Sequence, residues 1–65
     1  MTLHQLKIFQ VVSRHRNITK ASKELRISQP SVFKQVKLLE GFYKTKLYKK
    51  IGRGIELTEQ GQLFE

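Results

Sequence analysis

Gln29, Phe33, Lys34 and Lys37 fall within RISQPSVFKQVKLLE, residues 26–40, a stretch whose apolar positions recur as on a helix. At ~100° per residue these four, with Pro30, share one arc, centred ~120° from the ~60° arc that holds Val32, Val36, Leu39 and Tyr43. The polar arc offers an amide for a paired contact to a base edge, two ammonium groups and an apolar ring able to touch a thymine methyl. Such a set near a helix N-terminus suits the major groove of duplex DNA. The lysines alone would read as a solvated helix face; only the combination points to a groove. Phe33 has two readings, a fold back onto the preceding helix or packing on a thymine methyl or sugar, and both stay open.

A second cluster lies in LYKKIGRGIELT, where two short β-prone runs, Leu47–Ile51 and Ile55–Leu57, flank Gly52-Arg53-Gly54. The glycines permit a tight reversal, so the segment reads as a hairpin or wing. Its tip presents Arg53, with Lys49 and Lys50 just before it, to a narrow minor groove or to phosphates. A nucleotide phosphate loop would need a longer glycine spacing followed by Lys-Ser/Thr, which is missing here.

The elements that must position these side chains follow from periodicity. In TLHQLKIFQVVSRH, Leu3, Leu6, Phe9 and Val12, with Ile8 and Val11, mark a first helix that is mostly core. Arg14, His15 and Arg16 complement the negative end of its dipole, and Asn17 offers a break. The second helix, ITKASKELRI, is expected to be capped by Thr19 and to bury Ile18, Ala21 and Leu25. Small Ala21 and Ser22 allow a close crossing. Ile27 then plugs a tight turn before Ser28, a good N-cap that places Gln29 and Pro30 in the first turn of the third helix, where the missing N–H of proline costs nothing. After the hairpin Thr58 caps a fourth helix, TEQGQLFE, with Glu59 well placed in its first turn. Leu63 and Phe64 have no evident core left to enter.

Whole-chain quantities agree. The 65 residues suffice for one small domain, and 13 Lys+Arg against 5 Asp+Glu give a net charge of +8, so polyanions are the expected partners. Cysteine is absent and only His4 and His15 carry imidazoles, so neither a disulfide framework nor a zinc site is expected. No cofactor is implied. Five glutamates, no aspartate and two distant histidines assemble no catalytic set, so no enzyme is expected. No stretch approaches the ~20 apolar residues of a membrane span, and no signal-peptide pattern opens the chain, so a cytoplasmic protein is expected. A basic RNA-binding or anionic-membrane module would share the charge, but neither exposed aromatic platforms nor a coreless basic helix is visible.

Taken together, Leu3, Leu6 and Phe9, the ITKASKEL helix, ISQPSVFKQVKLLE and the run LYKKIGRGIELTEQG resemble the N-terminal DNA-binding domain of LysR-type transcriptional regulators over nearly the whole chain. The resemblance implies a mainly α fold with a small β-hairpin: a winged helix-turn-helix of three helices, a wing and the start of a linker helix. Residues 1–58 would form the DNA-binding domain, with the helix-turn-helix at about 18–40 and the wing at about 47–57. Residues 59–65 would begin a dimerisation helix, with the effector-binding domain of the family lying outside this chain. It also implies base and phosphate contacts from Ser28, Gln29, Pro30, Ser31 and Lys34, a wing contact from Arg53 and a phosphate contact near Thr19. With Phe33, Lys37 and Lys50 these make up the candidate site. The implied partners are double-stranded DNA and, through the linker helix, a second copy, with pairing weakened in so short a chain; the implied location is the bacterial cytoplasm, at the nucleoid. A molybdate-responsive winged-helix regulator is the nearest alternative. Three positions depart from the family pattern: Phe33 replaces a usual serine, Lys34 a common arginine, and Tyr43-Lys44 the usual Leu-Gly that ends the third helix, with Gly41 earlier.

Overall fold

The computed structural model describes residues 3–52 and 54–64. Three helices come first, α1 (Leu3–His15), α2 (Ile18–Leu25) and α3 (Gln29–Tyr43); a hairpin of β1 (Tyr48–Ile51) and β2 (Gly54–Leu57) and a short α4 (Glu59–Gln62) follow. The strands are antiparallel, with Tyr48 opposite Leu57 and Lys50 opposite Ile55. This is a winged helix-turn-helix.

Periodicity explains which faces are inside. Ile8, Phe9, Val11 and Val12 of α1 meet Ile18 and Ala21 of α2 and Val32, Val36 and Leu39 of α3, and Leu47, Ile55 and Leu57 close the core from the hairpin side. Leu25, Ile27, Phe33, Tyr43 and Phe64 are half-buried around it. Leu3 is not core as its spacing suggests: it is 83% exposed, because it opens α1 beyond the reach of α2 and α3. Phe64 also departs from expectation. Its ring lies 4.5 Å from that of Tyr43, so the edge of the core extends to it, while Leu63 stays 82% exposed.

Each helix end has an identifiable cause. The cap of α2 is Asn17, not Thr19: the Asn17 Oδ1 accepts the Lys20 N–H at 2.9 Å. Burial of Ile18 draws that residue into the first turn, and the cap moves back one position from it. The α2–α3 turn closes through Arg26, in the left-handed region at φ 57°, with the Ile27 N–H donated to the Ser22 carbonyl at 3.2 Å. Ser28 caps α3 as its sequence predicts, accepting the Ser31 N–H at 3.2 Å. At the other end Lys44 takes the left-handed position, φ 54°, that the family usually gives to glycine, and Gly41 stays inside the helix.

The hairpin and α4 are fastened to the helices by backbone bonds. The Ile55 N–H donates to the Arg16 carbonyl at 3.1 Å, which sets the wing beside the α1–α2 turn. Thr58 donates its N–H to the Leu47 carbonyl at 3.1 Å and its hydroxyl to the Lys46 carbonyl at 2.6 Å, while its Oγ1 caps α4 by accepting the Gly61 N–H at 3.0 Å. No helix among the described residues is long and apolar enough to cross a membrane.

Candidate nucleic-acid interface

Because Val32, Val36 and Leu39 face inward, the opposite edge of α3 is left to solvent. Gln29, Pro30, Lys34 and Lys37 are all exposed along it, and Ser28 at its cap is exposed too. Ser31 is half-buried, its Oγ accepting a hydrogen bond from the Ser28 hydroxyl at 2.9 Å. The two serines therefore fasten the first turn, and Pro30 fixes φ there, so Gln29 projects from a helix start with little freedom.

Gln29 also lines a cleft between the start of α2 and the hairpin. Asn17, Thr19, Lys20 and Lys23 form one wall, Lys50, Gly52 and Gly54 the other, with Ile18, Phe33 and Ile55 beneath. The Phe33 ring is half-buried and packs against the core. Cross-strand pairing sets Lys50 opposite buried Ile55, and Lys50 lines the cleft with it, while Lys49 pairs with exposed Glu56. Thr19 is exposed, and its Oγ1 accepts a hydrogen bond from Gln29 Nε2 at 3.3 Å. Arg53 lies outside the described residues.

Among the described residues no carboxylate lines this cleft. Glu24 is engaged on another face by Arg14 and, at 2.7 Å, by His15, and these bonds, Arg14 first, hold its carboxyl below the ordinary carboxylate value. Glu40 is buried and accepts the Leu47 N–H at 2.9 Å. Burial, and then the charge of Glu40, pushes the Tyr48 phenol above its ordinary value. With Glu24 and Glu40 engaged outside it, the cleft of this +8 chain is lined by lysines and, among the described residues, by no acid.

Sequence reasoning did not single out Asn17, Lys20 or Lys23. The available signal was local: Lys20 and Lys23 are three apart on α2, on the side away from buried Ile18 and Ala21. Their meeting with Lys50 is not local, since it depends on where the hairpin docks. Among the described residues no group of His, Cys, Asp or Glu could hold a metal ion.

Comparison with known proteins identifies the family. A family model described as bacterial regulatory helix-turn-helix protein, lysR family, matches residues 3–62. The chain is 45% identical over 64 residues to the HTH-type transcriptional regulator BudR of Klebsiella aerogenes, covering 98% of this chain and 45% of that protein. It is 46% identical over 61 residues to the HTH-type transcriptional activator CmpR of Synechocystis, covering 94% of this chain and 20% of CmpR. The chain thus spans less than half the length of these relatives. Among solved structures, a complex of the CbnR DNA-binding domain with DNA superposes with a TM-score of 0.93 at 39% identity, covering 98% of this chain and 74% of that one. A complex of the BenM DNA-binding domain with the benA site 1 DNA gives 0.91 at 31% identity, again with 98% and 74% covered. The chain belongs to the lysR family of bacterial regulatory helix-turn-helix proteins.

Proposed function

We propose that this chain binds duplex DNA in a sequence-dependent manner as the DNA-binding domain of a LysR-type transcriptional regulator, with α3 in the major groove and the wing at the adjoining minor groove or phosphates. The observation that carries the reading is the continuity of the exposed α3 edge, through Gln29, with a cleft that, among the described residues, is lined by three lysines and no carboxylate. Gln29 reads a base edge, Pro30 and Ser31 lie against the backbone or bases, and Lys34 and Lys37 neutralise phosphates. Ser28 and Thr19 approach phosphates from the starts of α3 and α2, Lys50 does so from the wing, and Arg53 makes the wing contact that the family pattern implies. Phe33 supports the cleft from below. The DNA-bound domains of CbnR and BenM, at 39% and 31% identity, support the same use of this fold.

The division of the chain belongs to this reading: residues 1–58 form the DNA-binding domain and 59–65 begin a dimerisation helix, on which exposed Leu63 offers apolar surface to a second copy. Two linked half-sites gain through effective concentration, whereas a single subunit with a few phosphate contacts binds weakly at physiological salt. Such a regulator works in the bacterial cytoplasm, on the nucleoid.

Titration of the chain with cognate and random duplexes, single-stranded RNA and anionic vesicles at several salt concentrations tests the proposal. Gln29→Ala is expected to cost about 1–3 kcal/mol at the cognate site and to relax base preference there, while Lys37→Ala weakens all duplexes alike and lowers the salt slope by about 1. Equal affinity for RNA or vesicles, or even losses across all duplexes for both variants, would overturn it.

A further inference from the structure

The cap of α2 leaves Thr19 with an unusual freedom. Because Asn17 satisfies the first-turn N–H, the Thr19 hydroxyl is not used on its own helix, and among the described residues its partner is the side chain of Gln29, at 3.3 Å. That contact joins the two helices of the helix-turn-helix at the point where the base-reading amide leaves α3.

A carboxamide has two N–H bonds, one beside its oxygen and one on the far side. Paired recognition of adenine uses the oxygen, which accepts from the 6-amino group, and the N–H beside it, which donates to N7. The far N–H takes no part, so it is the one that can go to Thr19 without loss. Guanine offers two acceptors on the same edge, O6 and N7. An amide can satisfy both only by turning its two N–H bonds toward the base, and a bond to Thr19 takes one of them away.

A hydroxyl can donate or accept, so the contact alone does not fix the direction of the amide. The surroundings do. Thr19 is exposed between Lys20 and the other lysines of the cleft, where a phosphate of bound DNA is drawn in. A phosphate diester only accepts. Once it accepts a hydrogen bond from the Thr19 O–H, Oγ1 can serve Gln29 only as an acceptor, which holds Nε2 against α2 and leaves Oε1 for the groove.

Resting on the DNA-binding role proposed above, we infer that Thr19 is a positioning residue for base readout: by donating to a phosphate and accepting from Gln29, it orients the amide to prefer adenine over guanine. A backbone contact is in this way converted into sequence preference.

The test compares duplexes selected by the wild-type chain, with A·T or G·C at the position whose preference Gln29→Ala abolishes, by fluorescence anisotropy. Thr19→Val removes the hydroxyl and keeps the shape. It is expected to lower the A-over-G ratio about fivefold, the worth of one hydrogen bond, through a relative gain for guanine. Thr19→Ser restores the ratio, and Thr19→Val in a Gln29→Ala background leaves it unchanged. Circular dichroism of each variant confirms the fold. Equal weakening of both duplexes by Thr19→Val overturns the inference and makes Thr19 a phosphate contact only, as does a wild-type preference for guanine or no preference at that position. Failure of the wild type to favour duplex DNA at all would instead reject the underlying DNA-binding role.

Discussion

Substituting Gly61 by alanine tests how α4 is seated on the rest of the molecule. Gly61 is buried, and a Cβ placed on it would lie 1.9 Å from the Leu47 carbonyl oxygen and 2.9 Å from its carbon. Backbone atoms cannot swing aside as a side chain can, so α4 has to withdraw. Reaching an ordinary 3.4 Å contact from 1.9 Å requires about 1.5 Å of movement. That shift breaks the two bonds that span the joint, Thr58 N–H to Leu47 at 3.1 Å and Thr58 hydroxyl to Lys46 at 2.6 Å. Their loss costs about 1 kcal/mol each, and overpacking adds about 1 kcal/mol or more. The better helix propensity of alanine returns about 1 kcal/mol, so the net destabilisation is about 2 kcal/mol. In a domain of this size that lowers the midpoint of thermal unfolding by about 8–16 °C. Gly41 supplies the control. It is exposed within α3, a Cβ there meets nothing within 4 Å, and Gly41→Ala is expected to gain about 1 kcal/mol from propensity alone. Thermal and urea unfolding followed by circular dichroism read both variants. Equal stability of the two would refute the close seating of α4 on the Leu47 backbone.

Glu40→Ala leaves the buried Leu47 N–H without its 2.9 Å acceptor and is expected to cost about 1–3 kcal/mol in urea unfolding, whereas Glu40→Gln, which keeps an acceptor oxygen, costs less. Equal losses for the two would show that charge and not the hydrogen bond matters there. The depressed Glu24 carboxyl gives a pH signature of defined sign: its stabilising contribution is in place above the ordinary value of 4.5 and fades as pH falls through the lower folded value. Glu24→Gln is therefore expected to flatten the acid limb of a stability-against-pH profile and to leave its slope above neutrality unchanged.

How much of this was legible beforehand depended on how far apart in the chain the interacting groups stand. The inward arc of α3, Val32, Val36 and Leu39, is set by side chains on one helix, so periodicity alone located both the buried face and its polar opposite, and Ser28 before Pro30 located the start. The cap of α2 was misread because Asn17 and Thr19 are both good capping residues, and the choice between them rests on whether Ile18 is buried, which is a tertiary fact. The same holds at the chain's edges: Leu3 has helical spacing but no partner, and Phe64 finds one in Tyr43. The cleft was the least legible feature. Lys20, Lys23 and Lys50 come together only after the Ile55 N–H finds the Arg16 carbonyl, a contact between backbone groups that side-chain type does not encode.

That dependence has a functional consequence. The wing is attached to the α1–α2 turn through the Ile55 N–H and the Arg16 carbonyl, so the hairpin side of the cationic cleft is held against the helical core by a backbone bond. At Gly54 a Cβ would lie 2.9 Å from the Arg16 carbonyl oxygen, so the close approach that aims Lys50 at the cleft leaves little room for a side chain there. The glycine therefore shapes the cleft without bringing charge of its own: it lets the hairpin come near enough for Lys50 of β1 to line the same cleft as Lys20 and Lys23 of α2. A motif that reads in the sequence as a tight reversal is, on its C-terminal side, also a close-packed joint.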